Sequence, residues 1–282
     1  MNRSMISAAV SMNALQQKLD LIAGNMANMN TIGYKKREVS FQDVLTQTIS
    51  QHPDMILAGR QTAPGRTVGG GVRLSGLRLD LSQGSLSPVE DPLSLAIEGP
   101  ALFEVEVPIA GMNGEETQPL WTRSGQFSLA YHEGEGAFIL TSADGYPVFS
   151  AEDEYISIPE YVDFEIDDRG IVTYTNEDGE SEIAGQIKLM RVDRPELMVA
   201  VGSNLYGLAE GVQDQDNVLQ TVDFALPENE GIAIRQYFTE QSNVDFTEEM
   251  SELIMVQRAY QLNARAITSG DTMMSLANQL RR

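Results

Sequence analysis

The stretch that most constrains this chain runs from Ser242 to Arg282, where apolar side chains recur on alternating spacings of three and four. Phe246, Met250, Leu253, Tyr260, Ala264, Ile267 and Met274 form the stripe, interrupted by Gln257 and Asp271, and this is the spacing of a coiled-coil helix. Asp245 followed by Glu248 is close to a capping box. Glu248, Glu249 and Glu252 crowd the first turns and Arg281 and Arg282 close the end, an order of charge that suits the helix dipole. A helix from Asp245 to the end would be about 57 Å long at 1.5 Å per residue. Such a helix cannot bury its own stripe and needs a partner.

The opposite end of the chain offers one. Met5, Ala8, Met12, Leu15, Leu19, Ile22, Met26 and Met29 keep the same three-four alternation, and the pattern stops at Asn30-Thr31-Ile32-Gly33, with a glycine suited to a helix C-terminus. The two stripes can close on each other inside one domain, or they can meet neighbouring copies. Their many Met and Ala positions and few bulky β-branched anchors favour adaptable contacts with several neighbours over a rigid core.

Charge is distributed as unevenly as the stripes. Of 282 residues, 19 are basic and 41 acidic, a net charge of −22, and 42% are hydrophobic, enough for a real core. Residues 1–84 carry net +4, residues 85–244 net −25 and residues 245–282 net −1. The acid is confined to the middle, which must be solvated, while the near-neutral ends can approach one another or their copies. This balance argues against nucleic acid as a partner. The chain has no cysteine, so disulfides, thiolate metal sites and thiol catalysis are excluded. The first residues lack the continuous apolar run of a cleaved secretory signal, and no stretch approaches a membrane span. Composition is compatible with the cytoplasm or with export by a route without a cleaved signal.

After Gly33, a basic cluster Tyr34-Lys35-Lys36-Arg37 leads to Phe41, Val44, Leu45 and Ile49, whose mixed spacing predicts a short helix or an extended arm. Residues 51–71 are rich in proline and glycine and predict a mobile loop. Val72 to Leu81 alternates as a strand with a phase slip at Gly76. A boundary follows near Gly84. From Leu86 to about Leu226 come short β-runs: Leu93–Ile97, Ala101–Val107, Leu120–Thr122, Gln126–Tyr131, Ala137–Thr141, Tyr155–Ile158, Phe164–Ile166, Ile171–Tyr174 and Ile183–Val192. Asp144-Gly145, Arg169-Gly170 and Asp178-Gly179 supply hairpin turns. The expected fold class is α+β, with N- and C-terminal helices forming a coiled-coil-like terminal domain, and with a central, mainly-β domain. Its divisions are residues 1–35 (N-terminal helix), 36–84 (arm), 85–240 (acidic β-domain) and 241–282 (C-terminal helix).

No constellation in this sequence carries chemistry. His52 and His132 sit in no metal-ligand or nucleophile-activating spacing. Asn176 to Glu180 lacks the acidic spacing of an EF-hand and reads as a hairpin turn. Glu152-Asp153-Glu154 and the acids from Asp163 to Asp168 read as a solvated face. Gly69-Gly70-Gly71 lacks the lysine and helix of a phosphate loop. The expectation is a protein that is not an enzyme, with no cofactor, no metal and no small-molecule substrate.

Both ends and two central stretches resemble a known family. Ala27-Asn28-Met29-Asn30-Thr31-Ile32-Gly33-Tyr34-Lys35 is similar to the N-terminal signature of the axial proteins of the bacterial flagellum, the rod and hook family, usually A-N-x-N-T-x-G-[FY]-K. Ser242-Asn243-Val244, Glu249-Met250 and Gln257-Arg258-Ala259-Tyr260-Gln261 resemble its C-terminal signature. Pro92 to Gly99 resembles P-L-D-L-A-I-x-G, Thr122 to Phe127 resembles T-R-x-G-x-F, and Gln83-Gly84-Ser85-Leu86 resembles Q-G-x-L. The chain departs from the family at Ser94, where aspartate is usual, at Gly99 to Val105, and at Gln236-Tyr237, where Q-G is usual. Chain length and the 38 residues between Leu45 and Gly84 place the resemblance nearest the distal rod.

The resemblance implies a structural subunit of the basal-body rod, one that polymerises through its terminal helices into a tube, transmits torque and passes through the flagellar export apparatus. It implies neighbouring rod and hook subunits as partners. Met5, Met12, Leu15, Leu19, Ile22, Met26 and Met29 would then meet other subunits from the first helix, and Phe246, Met250, Leu253, Tyr260, Ile267 and Met274 from the last. The alternative is a monomeric acidic β-domain binding protein whose terminal helices close on each other.

Overall fold

The computed structural model describes residues 2–43, 47–49, 66–68, 71–108, 117–132, 137–152, 154–159, 164–176, 180–209, 211, 215, 218–224, 226, 229 and 231–280. The chain forms two compact units, the first comprising Met1–Met26, Arg37–Leu77 and Asp245–Arg282, the second Ala27–Lys36 and Arg78–Val244.

The first unit contains the helices that the three-four spacing predicts, α1 (Asn2–Ala27) and α2 (Phe246–Leu280). Asp245 caps α2, its carboxylate accepting the N–H groups of Thr247 at 2.7 Å and Glu248 at 3.2 Å. Met5 lies against Gly270, Lys18 forms an ion pair with Glu252, and the Asn25 amide donates to Glu249 at 3.4 Å. Rising positions on α1 thus meet falling positions on α2, so the two run antiparallel over about 30 Å. The segment after Arg37 takes the extended form of the two expected: β1 (Arg37–Asp43) pairs with a later strand, and β2 (Gln47–Ile49) pairs antiparallel with β3 (Arg66–Val68). The partner of β1 is β4 (Val72–Leu79), whose in-out alternation ends after Leu74, just before Gly76. Val44, Leu45, His52 and most of the loop expected at 51–71 lie outside the described residues, as does the turn expected at Asp178-Gly179.

Among its described residues the second unit is mainly β, with one 3-10 turn at Pro195–Leu197. Its strands are β5 (Leu86–Pro88), β6 (Leu95–Glu98), β7 (Ala101–Pro108), β8 (Thr117–Thr122), β9 (Phe127–His132), β10 (Ala137–Ser142), β11 (Ser157–Ile158), β12 (Phe164–Ile166), β13 (Ile171–Thr175), β14 (Ser181–Gln186), β15 (Leu189–Val192), β16 (Met198–Gly202), β17 (Leu205–Leu208), β18 (Leu219–Thr221), β19 (Ala233–Gln236) and β20 (Phe238–Glu240). A six-stranded sheet runs in the order β16-β17-β8-β7-β15-β18, and two three-stranded sheets run β11-β10-β9 and β12-β13-β14. The pairs β19-β6 and β20-β5 complete it.

Strand β7 shows why the run Ala101–Val107 is almost continuously apolar: both faces of the central sheet are covered. Ala101, Phe103 and Val105 enter one buried cluster with Leu120, Leu140, Ile156 and Ile187, while Leu102 enters the other with Trp121, Met190 and Tyr206. Gly145 and Gly170 have φ of +84° and +75°, as the expected turns at Asp144-Gly145 and Arg169-Gly170 require.

Two readings of the β-pattern are corrected. The run Ile183–Val192 is two strands, broken where Ile187 and Lys188 hydrogen-bond to Gly170 and Phe149 and the chain changes sheet. Strands β16 to β20 lie outside the β-runs that the sequence pattern predicts, because most are short and mixed in polarity. Their identity comes from partners distant in sequence, such as Ile234 opposite Ile97 and Thr239 opposite Ser87.

Candidate functional site

The residues expected to join subunits occupy graded positions. On α1, Ile22 is buried and Met5, Met12, Leu15, Leu19 and Met26 are half-buried, with Met29 half-buried in the turn that follows. On α2, Leu253, Tyr260, Ile267 and Met274 are half-buried, whereas Phe246 and Met250 are exposed. Gln257 and Arg258 are exposed on the same helix. Asn25 holds the end of α1: its side chain accepts the Arg37 N–H at 3.1 Å and donates to the Arg37 carbonyl at 3.0 Å, as a neighbouring strand would. Lys18 also lies 5.3 Å from the centre of the Phe41 ring.

The N-terminal signature beyond the helix belongs to the β-unit. Asn28 and Thr31 close a turn, with the Thr31 N–H on the Asn28 carbonyl at 3.1 Å and their side chains 3.3 Å apart, while Asn30 is exposed. Gly33 and Tyr34 are buried. A Cβ on Gly33 would stand 2.6 Å from the backbone nitrogen of Ser124, so only glycine lets these two backbones meet, and its φ of +71° adds to the requirement.

Lys35 then enters a buried ionic cluster that gathers the central signatures. Its ammonium donates to Glu240 at 2.8 Å and to the Ser82 carbonyl at 2.7 Å. Arg123 pairs with the other oxygen of Glu240 and donates to the carbonyls of Gly99 and Ile97, each at 2.7 Å, and of Ala101. The Gly84 N–H donates to Glu240 at 2.7 Å. Asn243 completes the join, accepting the Lys36 N–H at 2.7 Å and donating to the Asp80 carbonyl at 2.9 Å, with Ser242 and Val244 half-buried beside it. Lys35, Arg123 and Glu240 are each at most 2% exposed. Burial and then the Arg123 charge push the Lys35 ammonium below its ordinary pKa, against the pull of Glu240. Burial raises Glu240, but Arg123 and Lys35 together outweigh it and hold the carboxyl below its ordinary value. Two cations share one anion, so the anion is the critical member. Among the described residues no group of acids and histidines could hold a metal ion. What this cluster does is tie the short segment Ala27–Lys36 to the rest of the second unit, Arg78–Val244.

Glu240 escapes sequence reasoning because nothing sets it apart from thirty other acids in the middle of the chain. One departure from the usual signature shows its cost here. Tyr237 has φ +64°, a left-handed conformation that costs a bulky residue about 1 kcal/mol or more. It is locked there by its N–H on the Ser94 carbonyl at 2.9 Å and its own carbonyl under the Val89 N–H at 2.8 Å.

The signatures that meet in this cluster are those of one protein class. Residues 6–35 match the family model described as flagella basal body rod protein, and residues 235–280 match that described as flagellar basal body rod FlgEFG protein C-terminal. The chain is 31% identical to the flagellar hook-basal body complex protein FlhP of Bacillus subtilis over 100% of both chains. It is 32% identical to the flagellar basal-body rod protein FlgG of the same organism, again over 100% of both chains. It is also 33% identical to FlgG of Caulobacter vibrioides over 98% of each. The chain belongs to the flagellar basal-body rod protein family, whose members are structural. No described helix is long and apolar enough to cross a membrane.

Proposed function

We propose that this chain is a structural subunit of the flagellar rod that self-assembles through its terminal segments, residues 1–35 and 241–282, into a helical tube that transmits torque. The acidic β-domain, residues 85–240, is a separate part of the subunit, and residues 36–84 form an arm. Its partners are copies of itself, neighbouring rod and hook subunits, and the flagellar export apparatus, which passes it across the inner membrane without a cleaved signal. It works without a cofactor, a small-molecule substrate or catalysis. The observation that carries this reading is α2 itself, a helix of 35 residues whose buried residues are Glu249 and Val256. So much exposed apolar surface on one helix calls for further partners.

Sedimentation of the full chain against concentration tests it. The wild-type chain should grow in mass as concentration rises. Leu253→Asp, which puts a carboxylate into an apolar contact at a cost of several kcal/mol, should remain small while the β-domain melts as before. A wild-type chain that stays monomeric throughout would support the closed monomer instead.

A further inference from the structure

The six-stranded sheet of the second unit ends on two edges, β16 and β18, and among the described residues no further strand pairs with the outer side of either. An open row of N–H and C=O groups is a template for another strand, and proteins usually guard such an edge with charge. Here the charge is missing. Residues 85–244 carry net −25, yet residues 197–209, which include β16 and β17, and residues 217–222, which include β18, contain no charged side chain. Val199 and Val201 are 49% and 60% exposed along β16. Hydrogen bonds within the sheet fix which backbone groups face out. The Ala209 N–H donates to the Leu197 carbonyl at 2.9 Å and Val199 stands opposite Gly207, so Leu197 and Val199 bond toward β17 while Met198 and Ala200 point away. The Met198 N–H is already taken by the Pro195 carbonyl. On the far edge the Asp193 N–H donates to Val218 at 3.0 Å and the Val222 N–H to Leu189 at 2.9 Å, which turns the backbone groups of Leu219 and Thr221 outward.

We infer that β18 of one copy adds to β16 of the next, so that the sheet continues from one β-domain into its neighbour. The inference rests on the rod-subunit reading, from which it takes the common orientation of the copies. Strand direction supports it. Each neighbouring pair in the sheet is antiparallel, so after five such steps β16 and β18 run in opposite directions. A sideways shift of one copy therefore brings β18 antiparallel to β16 of the next without any rotation. The outward groups set the register: Ala200 opposite Leu219 exchanges two hydrogen bonds, the Thr221 N–H reaches the Met198 carbonyl, and Val199 lies opposite Gln220. The engaged Met198 N–H is not called on. Contact between two different edges is heterologous and propagates from copy to copy. With no carboxylate on either strand it also escapes the repulsion between bodies of net −25. Three hydrogen bonds are too few to hold two copies by themselves, so the contact adds to the joins made by the terminal segments.

The absence of cysteine lets cross-linking of the full chain read this register. When Val199→Cys and Gln220→Cys chains are mixed and oxidised, the disulfide between the two variants should exceed either variant's disulfide with itself by about tenfold or more, the advantage of a held pair over random encounter. Ile183→Cys, at a position 71% exposed on β14, should show no such preference for Gln220→Cys. Ala200→Pro removes an outward N–H where an edge strand tolerates proline. That variant and Val199→Glu should both retard growth in mass while the β-domain melts as before, whereas Ile183→Glu, equal in charge, should not. If the wild-type chain grows, no mixed disulfide is favoured and both edge variants grow like wild type, the edges do not meet and the rod reading survives. Dominance of the Val199→Cys disulfide with itself would also overturn the inference, because it marks a two-fold contact. A favoured mixed disulfide in a chain that never grows would uphold the edge pairing and remove the rod reading, and the lack of both would overturn both.

Discussion

Glu240 pairs with two buried cations at once, Lys35 and Arg123. Replacing it by Gln removes the carboxylate that both cations share, and breaking a buried pair in this way costs about 3–5 kcal/mol. Lys35→Met leaves the Arg123–Glu240 pair balanced and sacrifices mainly the hydrogen bond to Ser82, about 1–2 kcal/mol. Denaturant titration of the two variants should rank them in that order, and equal losses would show that the charge balance is not what matters. Their pH dependence follows from the shifts. The Glu240 pKa is lowered in the folded chain, so its stabilisation is full above the unfolded value of about 4.3 and disappears as pH falls through the folded value. The gap between wild type and Glu240→Gln should therefore narrow below about pH 4. The Lys35 pKa is also lowered, so the unfolded chain holds more protons, and stability gains as pH climbs from the folded value toward about 10.4.

Among elements, the helices and the strands obey different rules. A β-strand such as β7 is held by both neighbours and by two apolar clusters. The helix α2 is held along one side only, and ordering each of its residues costs about 1–2 kcal/mol of backbone entropy. Helices of this kind take most of their stability from packing, not propensity. In a dilute chain the amides of Met5 to Met29 and Asp245 to Leu280 should exchange quickly, and in an assembled sample slowly. Slow exchange along both helices in the dilute chain would contradict an assembly-dependent order.

For the whole molecule, the second unit's boundaries suggest what folds alone. A fragment from Gly84 to Leu226 contains most of the β-signals but lacks Glu240, β19 and β20, and so strips β6 and β5 of their partners. The fragment Arg78–Val244 keeps them and lacks only the Ala27–Lys36 strap. It should melt cooperatively at a lower temperature than the full chain, and a synthetic peptide of residues 27–36, which restores Lys35 and Gly33, should raise that temperature. A soluble fragment without any thermal transition, or one indifferent to the peptide, would show that the body does not depend on this strap.

The sequence by itself determined the parts whose cause is local. Both helices follow from a three-four alternation that only a helical period satisfies, the α2 start from Asp245, and the turns at Gly145 and Gly170 from positive φ. Gly33 and Gly84 could be named as signature residues. Why they must be glycine emerged only when the backbones of Ser124 and Gln241 came against them, the latter 2.0 Å from where a Cβ on Gly84 would sit. Strands β19 and β20, the break between β14 and β15, and the choice of Glu240 among many acids were likewise decided by tertiary structure. The physical reason is the same in each case: a short strand, a close backbone approach and a buried charge are defined by partners far away in the chain, and no local pattern encodes who those partners are.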